Sequence, residues 1–148
     1  AQLSNILFKQ NNLFAKVIEA NSIEQLIEML EIGTSEYWQT HYNFKKASAT
    51  KTKKLGLNGI HQIIINCIVP LVFVYGKQRD SDNLCDKALQ WLEQCPTEKN
   101  SVVNLWETLG ARCDNAWQSQ AYIELKKEYC DKKHCLKCAI GNSLLKKQ

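Results

Sequence analysis

Several features are missing from this 148-residue chain, and each absence closes a class of explanation. No G-x-x-x-x-G-K-[ST] or G-x-G-x-x-G string occurs, and the six glycines fall singly. They mark turns and helix stops rather than a phosphate cradle. H-E-x-x-H and G-x-S-x-G are also absent, and no close pair of carboxylates stands out for acid–base work. There is no secretory signal pattern. The longest apolar run, Ile63 to Tyr75, is interrupted by Asn66 and Pro70. It is too short to cross a bilayer and reads as a buried helix, so no membrane partner is expected. Arginine is scarce: the basic C-terminal part holds one, Arg112, and the lysine-rich run holds none. That weakens any case for reading bases.

What is present describes an ordinary globular domain. Hydrophobic residues make up 45% and charged residues 23%, and the length is enough for one sizeable core. We expect a single helical domain over 1–148. The abrupt helical start at Ala1-Gln2-Leu3 suggests the C-terminal fragment of a longer chain. The seven cysteines are odd in number, and Cys67 and Cys85 sit within apolar or amphipathic helical patterns. Free thiols in a reducing, cytoplasmic setting follow, with Cys67, Cys85 and Cys95 as small core hydrophobes. The net charge of +4 lies entirely in 112–148. Residues 1–111 balance at eleven of each sign, whereas 112–148 carry eight basic and four acidic side chains.

The periodicity predicts an all-α fold of seven or eight helices around a buried central one, with stacked helical pairs as one arrangement. Leu3, Ile6, Leu7 and then Leu13, Phe14, Val17, Ile18 recur at three- and four-residue spacing. Ser22-x-x-Gln25 fits a capping box before Leu26, Ile27 and Leu30, and Gly33 stops that helix. Glu36–Tyr42 forms a short aromatic helix. Lys45–Lys54 lacks large apolar residues and reads as an exposed, mobile loop. Gly59 to Gly76 is apolar on all sides and should be the core helix, kinked or split by Pro70. Helices containing Leu84–Leu92 and Val102–Leu109 follow. The last long helix, Ala116 to Tyr129, should bury Trp117, Ala121, Ile123 or Tyr122, and Leu125, and a short helix lies around Ser143–Leu145.

Several strings together resemble one family. They are Ser35-Glu36-Tyr37-Trp38-x-Thr40-His41-Tyr42-x-Phe44, Ile64-Ile65-Asn66-x-Ile68-Val69-Pro70-Leu71-x-Phe73-x-Tyr75-Gly76 and Ser119-Gln120-Ala121. The closing string is Tyr129-Cys130-Asp131-Lys132-Lys133-x-Cys135-Leu136-x-Cys138-x-Ile140-Gly141-Asn142. The chain resembles the C-terminal part of the bacterial domain-of-unknown-function family 2851, typical of the Bacteroides group. The resemblance spans essentially the whole chain. It implies no activity, and it implies an N-terminal portion of the same protein as a partner.

Three candidate sites remain. Cys130, Cys135 and Cys138 are spaced C-x4-C-x2-C, and Cys113 could fold back as a fourth ligand for zinc or an iron–sulfur cluster. No cysteine follows Cys138, so the competing reading is that these thiols pack into the core and hold no cofactor. Lys132, Lys133 and Lys137 beside them could favour a redox-sensitive thiol. Trp38, His41, Tyr42, Asn66 and Gln120 could form a polar pocket around a histidine that titrates near neutrality, or could satisfy one another's hydrogen bonds. Lys45, Lys46, Lys51, Lys53 and Lys54, with Lys132 and Lys133, could contact nucleic acid, or could be solvated. His61 reads as a packed or solvated helix residue. The function expected first is a non-catalytic accessory or interaction domain that aids nucleic-acid binding. A metal or cluster module comes second, and an enzyme using His41 and Tyr42 third.

Overall fold

A computed structural model describes residues 4, 6–7, 10–51 and 53–146. Leu3, placed in the first expected helix, lies outside the described residues. Among these residues there are eight helices and no strand, so the fold is all-α. The chain divides into two compact units, Ala1–Leu92 and Glu93–Gln148.

The first unit holds α1 (Leu13–Glu19), α2 (Ile23–Leu30), α3 (Glu36–Thr40), α4 (Leu57–Gln78) and all but the last two residues of α5 (Asp82–Gln94). Ser22 caps α2, its hydroxyl accepting the Gln25 N–H at 3.4 Å, while Gln25 reaches back to the Asn21 N–H at 2.8 Å. Reciprocal capping of this kind satisfies amides that the first turn leaves unpaired. The α2 stripe Ile23, Leu26 and Leu30 is buried, as are Ile60, Ile64, Ile65, Ile68, Val69 and Val72 of α4. Each fully buried aliphatic side chain contributes about 1.5–3 kcal/mol by leaving water.

Pro70 does not break α4. The five residues Ile64–Ile68 adopt a π-helical turn, and the Val69 N–H reaches the Ile64 carbonyl. A wider turn accommodates a residue that has no N–H to donate and whose ring crowds the preceding turn. Two expectations are corrected here. The helix is 22 residues long and its most apolar window has a mean hydropathy of 1.8, enough in length and composition to cross a membrane. It is also not enclosed on all sides. Only a third of its most apolar window is buried, and Asn66, Cys67, Leu71 and Val74 face out. Cys67 is therefore exposed rather than a core residue.

At the far end of α4, Gly76 packs against α5. A β-carbon there would come within 2.9 Å of Cys85 Sγ and 3.0 Å of Leu84 Cβ. Cys85, Ala88, Trp91 and Leu92 form the buried stripe of α5.

The second unit contains α6 (Ser101–Thr108), α7 (116–130, ending in the π-turn Leu125–Cys130), a 3₁₀ turn at Cys135–Lys137 and α8 (Ala139–Leu145). Asn100 caps α6 by accepting from the Val102 and Val103 amides, and Asn115 caps α7 by accepting from Gln118. Gly110, at φ 85°, closes α6, and the Ala111 N–H reaches the Trp106 carbonyl at 3.0 Å. That left-handed stop is the reason for glycine at this position. On α7 the buried residues are Ala116 and Ser119, whereas Trp117 and Ala121 are exposed. The expected register is thus corrected.

Candidate functional site

In the first unit, α3 and the segment after it gather an aromatic and basic surface. Tyr37 stacks on His41 with centroids 4.2 Å apart and planes 4° from parallel. Trp38 and Phe44 meet edge to face at 5.0 Å. His41 Nδ1 lies 3.0 Å from both the Tyr37 carbonyl and Thr40 Oγ1. Tyr42 is 70% exposed and Phe44 80%. Lys53 donates to the His41 carbonyl at 2.8 Å, and its ammonium stands 3.5 Å over the Tyr42 ring. Tyr42 and Phe44 thus present ring surface to solvent, with the Lys53 cation over one face of Tyr42.

The lysine segment is exposed, as its composition predicts, but it is tied back to α3. The Ser48 and Lys51 amides donate to the Thr40 and Gln39 carbonyls at 2.7 and 3.0 Å. The Thr34 N–H donates to the Lys53 carbonyl at 3.1 Å. Asn43 Oδ1 accepts from the Lys45 and Lys46 amides at 3.1 and 2.9 Å. Lys54 pairs with Glu31 at 3.7 Å. Among the described residues, Lys45, Lys46 and Lys51 have no carboxylate within ion-pair distance.

The other members of the expected polar pocket have partners of their own. The Asn66 amide donates within α4, to the Gln62 carbonyl at 3.0 Å and the Gln62 side chain at 3.1 Å. The Gln120 amide donates to the Glu98 carboxylate, which Ser119 also reaches at 3.3 Å. Glu98 is the buried acid that sequence reasoning missed; the signal lay in Ser119-Gln120, a polar pair on the face of α7 that turns inward. Burial, helped by the Glu98 charge, pushes the Cys95 thiol up to about 11. His61 is half-buried, burial lowers its pKa, and its Nδ1 has no hydrogen-bond partner among the described residues.

In the second unit, Cys130, Cys135 and Cys138 line one cavity of about 240 Å³ together with Trp106, Leu125 and Tyr129. Ile140, Gly141 and Leu144 complete its wall. Cys113 instead lies within 2.9 Å of Thr97 Oγ1 and 3.7 Å of the Asn115 carbonyl. Among the described residues, no three histidine, cysteine, aspartate or glutamate side chains are arranged to hold a metal ion. Shared lining of an apolar cavity is not tetrahedral convergence, which a zinc site requires. The second unit's lysines are partly neutralised: Lys126 pairs with Asp131 at 2.6 Å, and Lys132 with Glu128.

Comparison with known proteins gives one positive finding. A sequence profile of the family described as "Protein of unknown function (DUF2851)" matches residues 1–101. The match includes the aromatic and lysine segments and stops before Cys113, Cys130, Cys135 and Cys138. No curated protein and no solved structure matches the chain.

Proposed function

We propose that this chain, which belongs to the DUF2851 family of proteins of unknown function, is a non-catalytic interaction domain whose first unit contacts single-stranded nucleic acid. One observation carries the reading: Tyr42 and Phe44 hold their rings in solvent next to Lys45, Lys46 and Lys51, which have no carboxylate within ion-pair distance among the described residues. Sequence-tolerant binding of single strands uses this combination, with bases stacking on exposed rings and ammonium groups tracking phosphates. Lysine without arginine suits backbone contact more than base reading. The backbone bonds from Ser48 and Lys51 to α3 would hold lysines and rings on one surface.

The test is binding of a fluorescent oligothymidylate to the full chain across a salt series. Three phosphate contacts, from Lys45, Lys46 and Lys51, give a slope of log K against log salt of about −2. Replacing the three by glutamate removes the slope, and Tyr42→Ala or Phe44→Ala costs about 1–3 kcal/mol of binding. Salt-independent binding, or none at low salt, refutes the reading.

A metal or cluster on Cys130, Cys135 and Cys138 is favoured only by their common cavity. Metal analysis of protein purified without oxygen separates it from the first reading.

A further inference from the structure

The cavity in the second unit has a chemistry of its own, independent of the nucleic-acid reading. Its wall is apolar: indole and phenol rings from Trp106 and Tyr129, aliphatic Leu125, Ile140 and Leu144, and thiols. Unionised cysteine packs as a small hydrophobe. Ile140 and Leu144 leave 54% and 64% of their surface in water. Side chains half in a cavity and half in solvent gain from whatever fills it.

The volume restricts the occupant. At about 240 Å³ the cavity is below the usual range for nucleotide- or drug-sized ligands. A methylene takes up about as much room as a water molecule, roughly 30 Å³, so the space suits an unbranched tail of about eight carbons.

Charge sets the headgroup. Lys126, Lys127, Lys132, Lys133, Lys137 and Lys146 each fall within two residues of a wall residue. Asp131 and Glu128 neutralise Lys126 and Lys132. Lys127, Lys133, Lys137 and Lys146 have no carboxylate within ion-pair distance among the described residues. Residues 124–148, which supply most of the wall, carry seven lysines against three carboxylates, and a net-positive segment favours an amphiphile with a negative end.

We propose that the cavity lined by Trp106, Tyr129, Cys130, Cys138 and Ile140 binds a medium-chain carboxylate, with the tail inside and the headgroup toward the neighbouring lysines. Burial of the tail supplies the affinity, and the lysines supply discrimination against neutral and cationic amphiphiles.

The experiment titrates the full chain calorimetrically with octanoate, hexanoate, octanol and octyltrimethylammonium at one ionic strength. Octanoate binds one to one. Hexanoate, two methylenes shorter, binds roughly fifteenfold more weakly, since each buried methylene is worth about fourfold. Octyltrimethylammonium is at least tenfold weaker than octanoate. Ile140→Glu puts a negative charge at the half-exposed rim and abolishes octanoate binding while the far-ultraviolet spectrum stays helical. Lys133→Glu with Lys137→Glu, both exposed, weakens octanoate at least threefold. The proposal is overturned by absence of saturable octanoate binding, by equal affinity for all three eight-carbon headgroups, or by binding that survives Ile140→Glu. Self-association that Ile140→Glu removes and octanoate leaves untouched would give the cavity to a second copy of the chain, and also overturns it.

Discussion

Gly141 lies directly over the backbone of Cys135: a β-carbon at position 141 would come within 2.5 Å of the Cys135 carbonyl oxygen and 3.1 Å of its Cα. Both contacts are to backbone, so no change of rotamer relieves them. The glycine in α8 thus lets the helix close over the C-x2-C turn and brings Ile140 and Leu144 to the cavity.

Gly141→Ala sets two effects against each other. Alanine gains about 1 kcal/mol of helix propensity over glycine. Forcing a methyl into a packed backbone contact costs about 1–3 kcal/mol. With atoms as close as 2.5 Å the clash wins. The expected result is a net loss of about 1 kcal/mol together with looser packing of 135–145. Faster alkylation of buried Cys138 in the variant reads the loosening directly.

Lys87 is a second long-range tie. Its ammonium donates to the Ile18 carbonyl at 2.6 Å and the Ala20 carbonyl at 3.1 Å, and stands 5.3 Å from the centre of the Trp91 ring. These carbonyls end α1, where the helix dipole is negative and no further turn supplies donors. Burial lowers the lysine's pKa, so the charge is held by these carbonyls at some desolvation cost. Lys87→Met keeps the stem and removes the donor. It should destabilise the fold by about 1.5–3 kcal/mol, the worth of hydrogen bonds to a charged group. Urea denaturation measures it, and an unchanged midpoint would show that water replaces the ammonium without loss.

How far the fold was legible follows from which signals are local. The cap at Ser22 acts within four residues and was readable; the caps at Asn100 and Asn115 and the stop at Gly110 are equally local. The central helix was readable as a helix but not as a face. A uniformly apolar segment has no strong periodicity to say which side packs; Asn66, its polar interruption, marks the exposed side. Glu98 was invisible as a core residue because its partners, Ser119 and Gln120, come from 21 and 22 residues away. The lysine segment is a loop, as read, but its anchoring was not legible, because backbone bonds to residues 39 and 40 leave no trace in side-chain chemistry. Among the candidate residues, the C-x4-C-x2-C spacing did mark a shared cavity. What spacing does not encode is the direction of each thiol.

His61 gives a pH dependence with a definite sign. Burial lowers its folded pKa below the ordinary 6.5, so between the folded value and 6.5 the unfolded chain binds more protons. Stability therefore rises with pH through that window, is fully present above about 6.5, and is lost as pH falls through the folded value. Carboxylates titrate mostly lower. His61→Gln should flatten the slope of unfolding free energy just below pH 6.5. A slope identical in the variant would assign the dependence to other groups.

The seven free thiols sort into two classes by burial. Cys67, Cys130 and Cys135 are exposed; Cys85, Cys95, Cys113 and Cys138 are buried. Alkylation needs both access and the thiolate. Cys95 fails on both counts: with its pKa near 11, about one molecule in a thousand carries the thiolate at pH 8. Native protein treated with iodoacetamide at pH 8 should therefore plateau at three adducts by intact mass and reach seven only in denaturant. Peptide mapping identifies the three. Cys67 among them would place the outward side of α4 in solvent. A rapid fourth adduct at Cys138 would mean that the cavity opens on the time scale of the labelling. An octanoate-dependent slowing of Cys130, which lines the same cavity, would tie its reactivity to ligand occupancy.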